Sequence, residues 1–157
     1  MKEISIIIPI LNESENIKLL IPEISKNIKI LKIQKYEIIL VDDNSEDQIE
    51  LVVRKLRKKF KSLKLLIRRK KDKDLSKSCI LGFEKSKYKN ILVMDGDFQH
   101  HPKYILNLVQ NFNRTNCDIV VGARDLTSTK KTKLSIFRLG SSFIVTTFLN
   151  IALGKKT

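Results

Sequence analysis

Tryptophan is absent from the 157-residue sequence, and glycine, proline and cysteine are scarce, at five, three and two residues. So little glycine and proline excludes collagen-like and low-complexity chains. Cys79 and Cys117 lie far apart with no pairing pattern, so no disulfide is expected and both read as small buried hydrophobes in a reducing compartment. Long apolar runs are missing as well. Ile4 to Leu11 contains Pro9 and is followed at once by Asn12 and Glu13, too short and wrongly flanked for a signal peptide. Leu139 to Leu153 falls short of the roughly 20 residues that cross a bilayer and is interrupted by Thr146, Thr147 and Asn150. Acidic residues are outnumbered, with 17 Asp and Glu against 31 Lys and Arg, for a net charge of +14.

What is present is the material of one domain: 42% apolar and 31% charged residues, in a chain long enough to bury about two-thirds of its unfolded surface without a staple. No repeat or linker interrupts residues 1–157, so a single domain is expected. The charge is local. Residues 54–89 hold 16 basic side chains against Asp72, Asp74 and Glu84, whereas the rest of the chain holds 15 basic and 14 acidic. Such a block raises nucleic acid and anionic membranes as partners. Its aromatics are only Phe60, Phe83 and Tyr88, and it matches no nucleic-acid module. No nucleic acid partner is therefore expected, and a nucleic-acid-binding basic domain stays as an alternative. The block reads as a solvated lysine face that can hold the protein near an anionic membrane, at up to about 1 kcal/mol per basic residue reaching the surface.

Short β-branched runs alternate with longer amphipathic stretches, the pattern of strands joined by crossover helices. Strands are predicted at Ile4 to Ile10, Tyr36 to Val41, Leu63 to Ile67, Asn90 to Met94 and Asp118 to Val121. Their nearly continuous apolar character implies a parallel sheet covered on both faces. Helices are predicted at Glu13 to Ile33, Asp47 to Phe60, Ser76 to Ser86, Pro102 to Asn113 and Ser135 to Leu153, with Ser45 and Asp47 as caps and Pro102 near a first turn.

Ligands of such a sheet bind beyond the carboxyl ends of the strands. The residues there are polar: Asn12 and Glu13, then Asp42, Asp43, Asn44 and Ser45, then Asp95, Gly96, Asp97 and Gln99, then Gly122 and Arg124. Asp95-Gly96-Asp97 is the sharpest feature. Two carboxylates around a residue with no side chain can converge on a hard divalent cation that bridges a diphosphate, although the tripeptide is also an ordinary turn. Its place after Ile91-Leu92-Val93-Met94, in register with Asp42 and Asp43, favours the metal reading.

Four segments in this order resemble glycosyltransferase family 2, and within it the dolichol-phosphate or polyprenol-phosphate mannosyltransferases: Ile7-Ile8-Pro9 with Asn12-Glu13; Tyr36 to Ser45 with Asp47; Met94 to His100; and Asp118 to Arg124. The resemblance implies a Rossmann-like GT-A fold, a mainly parallel sheet flanked by helices. It implies an inverting, metal-dependent transfer of a hexose, mannose or glucose, to a dolichyl or undecaprenyl phosphate. The donor would be a nucleotide sugar of the GDP-mannose or UDP-glucose type. Carried over residue by residue, Pro9, Leu11, Glu13, Val41, Asp43, Asp95, Gly96 and Asp97 would line the donor site. Asp95, Asp97 and Gln99 would hold Mg²⁺ or Mn²⁺. Arg124, Arg138 and Ser142, with Ser141 beside it, would face the acceptor phosphate, and Asp97 and Arg124 would carry the chemistry. Forked guanidinium donors suit phosphate oxygens. An ionised phosphate can attack without a protein base, and His100 and His101 read as helix-start or surface residues. Asn44 and Ser45 read as turn and cap formers.

The sequence also departs from the family pattern. Leu11 stands where an aromatic residue usually stacks on the nucleobase, which leaves base choice open. Asp74-Leu75-Ser76 replaces a Gly-Leu-Gly segment, His101 a proline and Lys103 an acid. The chain stops at Gly154-Lys155-Lys156-Thr157, before an Asp and Ser-Gly-Phe-Arg segment of relatives, so the expectation is a C-terminally shortened domain, with a donor-binding but catalytically incomplete fragment as an alternative. The amphipathic residues 134–157 are expected to touch membrane, acceptor or core. The expected location is the cytoplasm, including the cytoplasmic face of a membrane, and the oligomeric state is left open.

Overall fold

A computed structural model of the chain describes residues 1–122 apart from 71 and 116. Strands and helices alternate as the hydrophobic pattern demands: β1 (Glu3–Ile10), α1 (Ser14–Ile30), β2 (Lys35–Asp42), α2 (Ile49–Arg57), β3 (Leu63–Ile67), α3 (Leu75–Glu84), β4 (Ile91–Val93) and α4 (Tyr104–Arg114). The strands form one parallel sheet in the order β3-β2-β1-β4. Even-numbered residues of β1, from Ile4 to Ile10, join Ile38 and Leu40 against α1, α2 and α4. Odd-numbered residues turn to the other face, where Ile7, Ile39 and Val41 meet Leu66 and Leu81 of α3. The strand order explains why α3 lies apart from the other helices. The chain steps one way from β1 to β3 and then reverses to reach β4, and right-handed crossovers that reverse direction must change face.

Each helix shows its reason. In α1, Ile17, Leu20, Ile21, Ile24 and Ile28 make a buried stripe at helical spacing. Pro22 is tolerated because it stands on the exposed side, where the carbonyl one turn back faces water. The helix ends short of the predicted Ile33 because Lys32 adopts a left-handed conformation, φ 54°, that stops it. In α2, Ile49, Val52 and Val53 are buried and Arg54, Lys55 and Arg57, which follow them, are exposed, the expected solvated face. Its N-cap is Gln48, not Ser45 or Asp47. Asp47 still accepts from the backbone N–H groups of Ile49 and Ser14, at 3.2 and 2.7 Å, serving the first turns of two helices. Cys79 and Cys117 are free and half-buried rather than fully buried.

The fifth predicted strand is corrected. Asp118 to Val121 forms no strand, and Ile119 and Val121 are 77% and 80% exposed. A run of three β-branched residues becomes a strand only where a neighbouring edge pairs with it, and no described residue pairs with the outer edge of β4. Arg124, Arg138, Ser141, Ser142 and the helix predicted at Ser135 to Leu153 lie outside the described residues.

Candidate active site

The reversal of strand order falls between β1 and β4, and in an open parallel sheet the crevice beyond the carboxyl ends at such a point is where ligands sit. Register brings the loops together there. Pro9 pairs with Val41, Ile10 with Asp42 and Ile7 with Val93, so Asn12, Asp43 and Asp95 emerge from three adjacent strands. Backbone bonds extend the ladder into the loops, from Asp43 N to Ile10 O at 2.9 Å and from Arg68 N to Asp42 O at 2.8 Å.

The loops are interlocked. Asn12 N donates to Ser45 Oγ at 2.7 Å, and Glu46 N donates back to Asn12 Oδ1 at 2.8 Å. Ser45 Oγ in turn donates to Asp42 Oδ1. Asn44 and Ser45 thus act as turn formers, as their residue types suggest. Of the four non-glycine residues with positive φ among the described residues, three follow these strand ends: Asn12 at 58°, Asn44 at 63° and Phe98 at 61°. Asn tolerates this region, whereas Phe98 holds it at a cost of roughly 1–3 kcal/mol. Its ring offsets part of that by packing on the core and meeting His101 edge-on at 6.3 Å.

Asp95-Gly96-Asp97 leaves β4 directly against β1. Gly96 is buried, and a Cβ there would lie 2.9 Å from Ile10 Cγ2 and 3.7 Å from Glu13 Cγ, so the close approach demands glycine. Asp97 Oδ1 accepts from Gln99 N at 2.9 Å, and Asp95 Oδ2 meets His100 Nδ1 at 2.9 Å. His101 Nδ1 accepts from Lys103 N at 3.1 Å, a helix-start role. Glu13 Oε2 accepts from Asn16 Nδ2, holding a third carboxylate beside Gly96. Among the described residues no three His, Cys, Asp or Glu side chains converge as a ready-made cage. Two half-exposed carboxylates with open sides are nonetheless the donor set of a magnesium-type ion that keeps waters and takes its other ligands from substrate phosphates. The residues fit such an ion.

The remaining predicted donor residues divide into exposed and buried ones. Leu11 is 37% exposed at the mouth, Pro9 is buried, and Val41 has its side chain wholly inside the α3-facing cluster, so only its backbone can meet a ligand. Asp43 is 5% exposed and already engaged: Oδ1 pairs with Arg68 Nη1, and Oδ2 accepts from Asp74 N at 2.5 Å. Arg68 also donates to Asp74 O at 3.2 Å and Ser78 Oγ at 3.4 Å. Asp74 caps α3 by accepting from Lys77 N at 3.1 Å, which lowers its carboxyl below the usual aspartate value. Here the departure from Gly-Leu-Gly gains a structural meaning. Arg68 was not singled out from sequence, because Arg68 to Lys71 reads as one basic run. Its signal is register, since Asp42 pairs with Ile67 and the next residue on each strand must then face its counterpart. Cys79 lies near enough to Asp95 that burial first, and that carboxylate second, raise its thiol pKa, keeping it protonated.

The chain is similar to known proteins in sequence and fold. The chain is 36% identical over 122 residues to the dolichol-phosphate mannosyltransferase of Pyrococcus furiosus, covering 78% of this chain and 33% of that one. It is 29% identical over 155 residues to the undecaprenyl-phosphate 4-deoxy-4-formamido-L-arabinose transferase of Yersinia enterocolitica, covering 99% of this chain and 45% of that one. The chain thus spans less than half the length of these relatives. Two solved structures share the fold: residues 1–349 of TarS from S. aureus, at TM-score 0.54, 21% identity and coverage of 71% of this chain and 33% of that one, and the mannosyltransferase PcManGT from Pyrobaculum calidifontis in complex with GDP-Man and Mn²⁺, at 0.56, 18%, 68% and 31%. The sheet, mainly parallel and flanked by helices, is therefore of the GT-A type. A model of glycosyl transferase family 2 matches residues 5–151, from within β1 past every strand-end loop described above, and by that match the chain belongs to glycosyl transferase family 2.

Proposed function

We propose that this chain is the nucleotide-sugar-binding and catalytic part of an inverting hexosyltransferase that acts on a polyprenyl phosphate at the cytoplasmic face of a membrane. The observation that carries the reading is the lodging of Asp95-Gly96-Asp97 against Ile10 and Glu13 at the point where the strand order reverses. Two relatives named for dolichol-phosphate and undecaprenyl-phosphate transfer support the acceptor class. In this reading Asp95 and Asp97, with Gln99, would hold Mg²⁺ or Mn²⁺, which when bound would supply Lewis-acid stabilisation of a departing phosphate oxygen. The interlocked loops at Asn12 and Ser45 fix the walls of the donor site, and Glu13, Asp43 and the backbone at Pro9 and Val41 border the nucleoside. Arg124 and Arg138 with Ser142, which lie outside the described residues, are assigned to the acceptor phosphate. Because that phosphate is already ionised near neutral pH, catalysis rests on positioning and needs no general base.

The test is a panel of GDP- and UDP-sugars against short polyprenyl phosphates, with and without Mg²⁺ or Mn²⁺. The expected result is a metal-dependent rise in melting temperature with one donor class, sugar transfer to the lipid phosphate, and loss of both in Asp97→Ala. No shift with any donor in either metal would overturn the reading. Stabilisation without transfer would mark a donor-binding but catalytically incomplete chain.

A further inference from the structure

Among the described helices α1 exposes Leu19 and Ile30, eleven residues apart, and α4 exposes Tyr104, but α3 gathers three large exposed apolar residues within nine positions. The outer side of α2 carries no large exposed hydrophobic residue, whereas α3 exposes Leu75 by 63%, Ile80 by 51% and Phe83 by 44%. Ile80 and Phe83 are three residues apart and so share one side of the helix. The inner side explains why they are free to do so. The helix presses on the sheet through buried Ser78 and Gly82 and partly buried Leu81, and Gly82 approaches Ile7 so closely that a Cβ would overlap its Cγ2. Small residues thus make the contact with the sheet, and the large ones point away.

Cations flank this helix on both sides in the sequence. Residues 68–89 carry nine basic side chains against three acidic ones. Arg69, Lys70, Lys73, Lys85, Lys87 and Lys89 are all exposed, and none of them forms an ion pair with a described residue. A groove of about 540 Å³ opens beside the helix, where Arg69, Lys70 and Leu81 line it together with Arg68 and the Lys77–Asp72 ion pair, with room for a phosphate headgroup. Exposed apolar residues on a helix flanked by exposed cations are the chemistry of an interfacial helix on anionic lipid. We propose that α3 is a membrane-docking surface: Leu75, Ile80 and Phe83 enter the headgroup boundary of an anionic bilayer, and the flanking lysines and Arg69 meet its phosphates. The start of α3 meets the strand-end site through Asp74 and Asp43, whereas Ile80 and Phe83 are exposed on its outer side, so the docking surface serves whatever sugar or acceptor that site takes.

The absence of tryptophan makes the test specific, because Phe83→Trp places a single indole on this face. With vesicles of phosphatidylcholine containing about 30 mol % phosphatidylglycerol, its emission should shift to the blue and be quenched by brominated acyl chains; with phosphatidylcholine alone it should not. In flotation, Ile80→Ser/Phe83→Ser should bind the anionic vesicles about tenfold more weakly than the parent while keeping its melting temperature. Raising salt to about 0.5 M should weaken the parent's binding. An unshifted indole, or a double variant that floats like the parent, would overturn the proposal. So would a preference for a duplex oligonucleotide over vesicles, bound equally by parent and variant, since that would make nucleic acid the partner.

Discussion

Arg68 and Asp43 are each 8% exposed at the side chain, and an ion pair so buried is costly to halve. Arg68→Ala leaves the carboxylate without its partner and should destabilise the fold by about 3–5 kcal/mol, read as a fall in thermal midpoint, whereas Arg68→Met/Asp43→Leu should fall short of the two single losses combined. Glu37 is the second buried carboxylate. It is 3% exposed on β2; Oε1 accepts from Ser5 Oγ at 2.6 Å and Lys87 N at 2.5 Å, and Oε2 meets the Lys64 ammonium at 2.6 Å. Burial pushes its pKa up, but the bonds from Lys64, Ser5 and Lys87 together outweigh it and hold the group below the usual glutamate value. A carboxylate lowered on folding adds stability that is present above its unfolded value and lost as pH falls through the folded one. Unfolding midpoints should therefore drop as pH falls below about 4.3, and Glu37→Gln should flatten that drop while lowering stability near neutrality. Neither pair was legible in the linear pattern, where Arg68 belongs to a basic run and Glu37 interrupts an apolar one. Both become necessary once strands pair, because a charge placed on a covered face must find a partner there.

At the scale of elements, β3 was read at its observed bounds and β1, β2 and β4 within one residue at each end, because each strand is an apolar run bounded by polar or turn-forming residues. Helix ends moved more, since caps depend on which side chain a neighbouring loop has already taken. Ser45 is committed to Asp42 and Asn12, which leaves the start of α2 to Gln48. The acidic strand-end loop was legible as a tripeptide after an apolar run. Its left-handed Phe98 was not, because nothing in the residue type announces it. The seat of α3 offers a direct test of packing. Gly82→Ala adds a methyl group against the fully buried Ile7, and overpacking of about 1–3 kcal/mol should exceed the roughly 1 kcal/mol that alanine contributes within a helix. A lower denaturation midpoint with an unchanged slope is expected; a higher one would show that Ile7 yields freely.

Across the whole molecule the charge is lopsided, and every described cation of residues 54–89 except Arg68 is exposed, on α2, β3, α3 and the loops beside them. Crowded like charges repel, so moderate salt should raise the thermal midpoint between about 0.02 and 0.2 M, and a fall would mean that attractive pairs dominate. The central position of β1 has a consequence in time. It is made before β2, β3 and β4, seven of its eight residues are buried, and its second neighbour arrives only with β4, as the 87-residue separation of the bonded Glu3 and Asn90 records. At roughly 5–20 residues per second, synthesis leaves an isoleucine-rich strand without that neighbour for on the order of ten seconds. During that interval Ile4-Ser5-Ile6-Ile7-Ile8 is a ready template for strands of other chains, shielded only by whatever α1 and β2 can cover.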